Sequence, residues 1–190
     1  MTVDSLPPTR RIVTGFNTAG RSCILEDGVS PAMQLMPGRA GYRNNNIWRT
    51  LDSPAPIAAP DTVPEHRGVL PPRRGTVLRV IDIPPESSDP VEARRQTEAV
   101  FAAMFPDAHH DAGHVRHPGM HGTDTIDYAV LLQGELVAIL EEGETLMRAG
   151  DILIQRGTQH AWANRSKAIA RIAFILIDGE RARSGLGPKP

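Results

Sequence analysis

One cysteine, Cys23, is all the thiol chemistry in this chain of 190 residues. A single thiol closes no internal disulfide, so the fold does not draw on the cross-links of small secreted domains. Cys23 reads instead as a small hydrophobe in a strand. Net charge is equally scarce: the formal total is −1, and the basic residues are almost all arginine, spread along the chain. That balance leaves no electrostatic footprint for nucleic acid or for an anionic membrane. No stretch approaches the roughly 18 apolar residues of a membrane-spanning helix. Met1 to Arg10 lacks the apolar core of a secretion signal. The expectation is a cytoplasmic protein whose partner is a small molecule. With 40% hydrophobic composition, the chain has enough apolar material for one domain with a real core.

What is present concentrates between Met120 and Asn164. Short runs alternate apolar with polar there, broken at Gln133-Gly134, Glu142-Gly143, Ala149-Gly150-Asp151 and Arg156-Gly157. Runs this short, closed by glycine this often, are strands and tight turns rather than helices. Strands of this kind suggest a small barrel or sandwich. His121, Thr123, Thr125 and Asp127 fall at every second position, and so do His160, Trp162 and Asn164. In extended strands each set shares one face. Two polar rows facing into a barrel would make a site. Facing solvent, they would be ordinary surface.

These residues resemble the two signature motifs of the cupin superfamily. His121 stands at the first motif's first histidine, Thr123 at its second, Asp127 at its glutamate and Gly134 at its closing glycine. Gly150-Asp151, Gly157, His160 and Asn164 match the second motif, with Gln155 at its proline and one residue fewer before it. The resemblance covers roughly residues 76 to 178. It is nearest to small bacterial and fungal cupins, some of them near aromatic or polyketide metabolism. It implies an all-β fold, the double-stranded β-helix or jelly-roll barrel. Metal-binding cupins usually hold their ion with three histidines and a glutamate. Here Thr123 replaces one histidine and Asp127 the glutamate. His121, Asp127 and His160 could still hold a divalent ion (Fe, Mn, Zn or Ni) with open positions.

Upstream, Arg11–Thr14 and Ser22–Leu25 read as a hairpin, Pro31 to Asn46 as turn-rich, and Asn46–Thr50 as a further strand. Asp52 to Pro72, rich in proline and alanine, reads as an extended surface connector. In small cupins such N-terminal strands often join a partner's barrel, so a homodimer is expected. Thr76–Ile83 is a clear strand. Asp89-Pro90-Val91-Glu92 opens one inserted helix, with an N-cap, proline at the first position and acid in the first turn. Pro106 ends it. The histidine-dense tract from His109 to His117 reads as a polar loop, with His117 able to project into the barrel mouth as an acid or base. Ala170–Asp178 is a strand covered on both faces. The organisation is an N-terminal arm and strand extension (1–72), the barrel (73–180) and a frayed tail (181–190).

Three functions stay open. One is a metal-assisted enzyme on a small aromatic or polyketide-derived substrate. The second is a metal-free isomerase, dehydratase or cyclase, in which a paired His121 and Asp127 transfer protons. The third is a non-catalytic ligand-binding module. In each, His121, Asp127 and His160 form the centre, with Thr123, Thr125, Trp162 and Asn164 against the ligand. Tyr128 has the opposite parity to Asp127 and should face away.

Overall fold

The computed structural model describes residues 5–181. Two sheets face each other, and a separate hairpin stands beside them. The hairpin is β1 (Arg10–Phe16) against β2 (Ser22–Val29). The first sheet has six strands. It begins with β3 (Ala32–Leu35), β4 (Arg43–Thr50) and β5 (Thr76–Ile83). It is completed by β13 (Ala170–Asp178), β8 (Thr125–Gln133) and β11 (Ile152–Arg156), so β13 lies between β5 and β8. The second sheet has five strands: β6 (His109–Asp111), β7 (Met120–Gly122), β12 (His160–Ala163), β9 (Glu135–Leu140) and β10 (Glu144–Arg148). This is the all-β, double-stranded β-helix barrel, with an N-terminal strand extension and one inserted helix. That helix is α1 (Pro90–Met104).

Alternation explains the layering. Ala129 and Leu131 of β8, Val77 and Ile81 of β5, and Ile172 and Phe174 of β13 turn inward. They meet Leu136 and Ala138 of β9, and Val100 and Met104 of α1. Each such side chain contributes on the order of 1.5–3 kcal/mol by leaving water. Gly134 passes the chain from β8 to β9, and so from one sheet to the other. Its φ is +78°, and an added Cβ would come within 3.1 Å of the Ala170 backbone, so only glycine fits. Asp89 caps α1 by accepting the Val91 N–H at 2.9 Å.

The outer face of the six-stranded sheet carries a buried charge hub. Asp82 on β5 accepts from Arg43 Nε at 3.0 Å on β4 and from Arg171 Nε at 2.6 Å on β13. The same two arginines reach back to the Pro7 carbonyl, at 3.0 and 2.6 Å. One carboxylate therefore ties three strands to the N-terminal segment.

Several expectations need correction. Pro31 to Asn46 is not turn-rich throughout: it holds β3 and the start of β4, whose asparagines pair in register with β5. Asn44, Asn45 and Asn46 are buried, and polar side chains inside a strand hid it from a hydrophobic pattern. Among the described residues β3 and β4 extend their own barrel sheet, while β1 and β2 pair only with each other. His109–Asp111 is a strand, with His110 opposite His121. Residues 1–4 and 182–190, including most of the expected frayed tail, lie outside the described residues.

Candidate functional site

A cavity of about 100 Å³ opens between the sheets beneath α1. His121, Thr123, Asp127, His160 and Trp162 line it. The even spacing from His121 to Asp127 does not put them on one strand, because the chain breaks at Thr123-Asp124. His121 ends up on the five-stranded sheet and Asp127 on the six-stranded one.

The histidines are cross-strand neighbours. His160 of β12 stands opposite His121 of β7, which in turn stands opposite His110 of β6. The His121 and His160 rings are 4.3 Å apart between centroids. His121 Nδ1 donates to the Gly119 carbonyl at 2.9 Å, and His160 Nδ1 to the Thr158 carbonyl at 3.0 Å. That leaves each Nε2 as a lone pair. Burial pushes His160 down to about 4. Burial and then the neighbouring His160 hold His121 well below the usual imidazole range. Both rings are neutral near pH 7. Gln155, in register with Asp127 on β11, reaches from the opposite sheet to within 2.9 Å of His160 Nδ1. Its amide donates to the Thr158 carbonyl at 2.7 Å and so braces the turn that aims His160.

Asp127 is 5% exposed, and among the described residues its Oδ1 has no hydrogen-bond partner. Burial raises its pKa to about 6, against the opposing effects of Thr125 and Arg79. The carboxylate–imidazole pair expected between Asp127 and His121 is not formed, since His121 is held by a backbone carbonyl and the carboxyl stands on the facing sheet. Among the described residues, no three histidine, cysteine or carboxylate side chains gather closely enough to hold a metal ion. The donors standing together are two imidazoles, so a three-ligand site is not assembled in this arrangement.

Asn164 is another correction. It is fully buried but does not line the cavity. Its amide donates to the Ile83 and Ala168 carbonyls at 2.7 and 2.8 Å, and its oxygen accepts the Ser166 N–H. It clamps the turn after β12 onto the end of β5. Thr125 spends its hydroxyl on Thr123 at 2.6 Å and is likewise absent from the lining. Trp162 is on the wall, edge-on to His160 and Phe174. Tyr128 is exposed on the outer face.

Other lining residues carry no motif. Phe101 of α1 stacks on His110 with centroids 3.9 Å apart and meets His121 edge-on. Arg39, Tyr42, Arg79 and Phe105 form a further part of the wall. His117, expected as part of a loop with access to the mouth, lines the cavity and pairs with Glu86 at 2.7 Å. Only the amphipathic pattern of α1 could have hinted at Phe101.

No protein-family model matches the chain. The cupin-domain-containing oxidoreductase srdD of Neurospora crassa is 24% identical over 186 residues, covering 94% of this chain and 80% of that protein. Over most of its length the chain is thus similar to a cupin-domain protein. Phomopsin biosynthesis cluster protein C' of Diaporthe leptostromiformis is 43% identical to this chain over 63 residues, 32% of its length. The match takes in only 33% of that relative's length. Among solved structures, the Schizosaccharomyces pombe Cnp3 cupin domain overlays with a TM-score of 0.44 at 9% identity, covering 89% of this chain and 87% of that one. No helix among the described residues is long and apolar enough to cross a membrane.

Proposed function

We propose that this protein is a small-molecule enzyme that moves a proton within a compact substrate held in the barrel cavity, as an isomerase, dehydratase or cyclase does. Asp127 exchanges the proton. His121 and His160, both neutral, accept hydrogen bonds from substrate hydroxyls through their free Nε2 atoms. The observation that carries this reading is the orphaned, buried Asp127 carboxyl oxygen in the wall of a cavity, on a group whose pKa burial raises to about 6. A carboxyl poised near the working pH serves as general acid or base, where an ordinary one would be too weak a base. Trp162, Phe174 and Phe101 exclude water from the reacting end.

A second reading is a metal-assisted oxidoreductase. The descriptions of the full-length relatives favour it, as do two adjacent imidazoles with free lone pairs. Metal analysis of untagged protein, followed by a turnover screen on enolisable carbonyl compounds before and after chelation, separates the two. Proton transfer predicts turnover that survives chelation and is lost in Asp127→Asn. Turnover that tracks bound Fe, Mn, Zn or Ni would overturn it.

We also infer a homodimer. The β1–β2 hairpin has no sheet partner among the described residues, and it leaves Phe16, Ile24, Leu25 and Val29 exposed. An isolated two-stranded hairpin is marginal in water, and a second copy of the chain would cover it.

A further inference from the structure

The proton-transfer reading uses Asp127 and the histidines but leaves unused the cavity wall formed by Arg39, Tyr42, Arg79 and Phe105. Two guanidinium groups line this one small space. Arg79 is 1% exposed. Its Nη atoms are committed to the Val69 carbonyl at 2.8 Å, the Gly68 carbonyl at 3.3 Å and His66 Nε2 at 3.1 Å. Its Nε has no partner among the described residues. Arg39 lies with its guanidinium 5.0 Å from the Tyr42 ring centre, and its Nε is likewise buried without a partner among the described residues.

Among the described residues, neither guanidinium has a carboxylate within 4.0 Å. Of the nearby acids, Glu86 is bonded to His117 and Asp107 takes the Val69 and Leu70 N–H groups at 2.7 and 2.9 Å. Asp127, whose charge Arg79 also feels, makes no ion pair with it. A buried cation without a counter-ion costs several kcal/mol, and the cost is relieved when an anion arrives. Faces of Tyr42 and Phe105 offset part of it through cation–π contact, Phe105 lying 5.4 Å from the Arg79 guanidinium. The other walls are apolar: Val69, Ile81, Val100, Trp162 and Phe174.

We infer that this wall is an anion subsite, and that the substrate is a compact, largely apolar carboxylic acid whose carboxylate lies against Arg39 and Arg79. The inference rests on reading the cavity as the substrate site. Size supports compactness: at about 100 Å³, the space is below the roughly 150 Å³ of a cavity that takes up benzene. The missing counter-charge thus comes with the ligand, and its carbon skeleton extends toward Asp127 and the two imidazoles.

The probe is crotonate, with neutral crotonamide as its near-isostere, titrated into the full chain by calorimetry and thermal shift. Wild type should bind crotonate at least about tenfold tighter than crotonamide, the scale of a charge-assisted hydrogen bond. Arg39→Gln should abolish that preference and Arg39→Lys should restore part of it, since among the described residues Arg39 makes no side-chain hydrogen bond that folding would miss. Equal binding of acid and amide by wild type, no binding of either, or an unchanged preference in Arg39→Gln would each overturn the inference. Asp127→Asn separates this from the proton-transfer reading. It should hold crotonate as tightly as wild type or tighter, because an opposing charge is gone. Persistent turnover in Asp127→Asn, beside a lost preference in Arg39→Gln, would remove the proton-transfer role and leave the anion subsite standing.

Discussion

His121 and Asp127 line one cavity from opposite sheets of the barrel, although six positions of chain separate them. The break at Thr123-Asp124 produces this: β7 ends in one sheet and β8 begins in the other. The acid therefore faces the imidazoles across the ligand space instead of bonding to them. Asp127→Asn should abolish turnover while leaving the fold intact. At neutral pH it should also raise the melting temperature, because an ionised carboxyl with an orphaned oxygen is costly to bury. An activity assay and a thermal melt at pH 7.5 check both. A variant that melts lower than wild type would mean that Asp127 is well satisfied in the folded protein.

Stability should fall on acidification through a window set by histidines. His160 and His66 are pushed down to about 4, and His121 lies well below its usual value. Unfolded histidines take up protons near 6.5. Below that pH the unfolded chain binds more protons, so stability present above 6.5 is lost between there and about 4. Asp127 runs the other way, its cost being relieved as pH falls through about 6. Three histidines outweigh one carboxyl, and melting temperature should drop from pH 7 to pH 5. His160→Asn should show a shallower drop. An equally steep one would place the acid sensitivity elsewhere.

Phe101 limits the cavity from α1, packed on His110 and His121. Phe101→Ala should cost up to about 3 kcal/mol and admit larger ligands. Thermal shifts with benzoate should exceed those with crotonate in the variant, reversing the wild-type order. An unchanged order would show that another residue sets the size limit.

Asp82 is 1% exposed and holds two arginines. Asp82→Asn leaves both cations without a full counter-charge, at a cost of about 3 kcal/mol. Urea unfolding should show a lower midpoint with an unchanged slope. A midpoint within error of wild type would mean that solvent screens the hub.

Ile24→Glu in β2 should convert the proposed dimer to monomer without unfolding the barrel, because β1 and β2 pair with no barrel strand. Light scattering with circular dichroism reads both. A monomeric wild type, or a variant that remains dimeric, would remove the hairpin as the interface.

The barrel was legible because glycine turns and alternating strands are local signals: Gly134, Gly150 and Gly157 each mark a positive-φ turn. The helix was legible from Asp89-Pro90 and Pro106. The site was legible only where a motif carried it. Parity misassigned Asn164, which a turn had recruited, and it hid the sheet switch between His121 and Asp127. Arg39, Arg79, Phe101 and the row His110–His121–His160 come together through long-range pairing. No spacing along the chain records such proximity, and the buried asparagines of β4 broke the one pattern that would have revealed that strand.

The placement of β13 bears on how this protein can be made. The last of the described strands to leave the ribosome pairs with both β5 and β8 and lies between them. Until it arrives, the six-stranded sheet is two pieces with two open edges, and Asp82 waits for an arginine 89 residues downstream. Unpaired edges of this kind invite association with other chains, and closure over so long a separation is slow. A nascent chain arrested before Ala170 is therefore not a barrel short of one strand but two unsealed halves, and premature termination there should yield aggregate rather than a weakened fold.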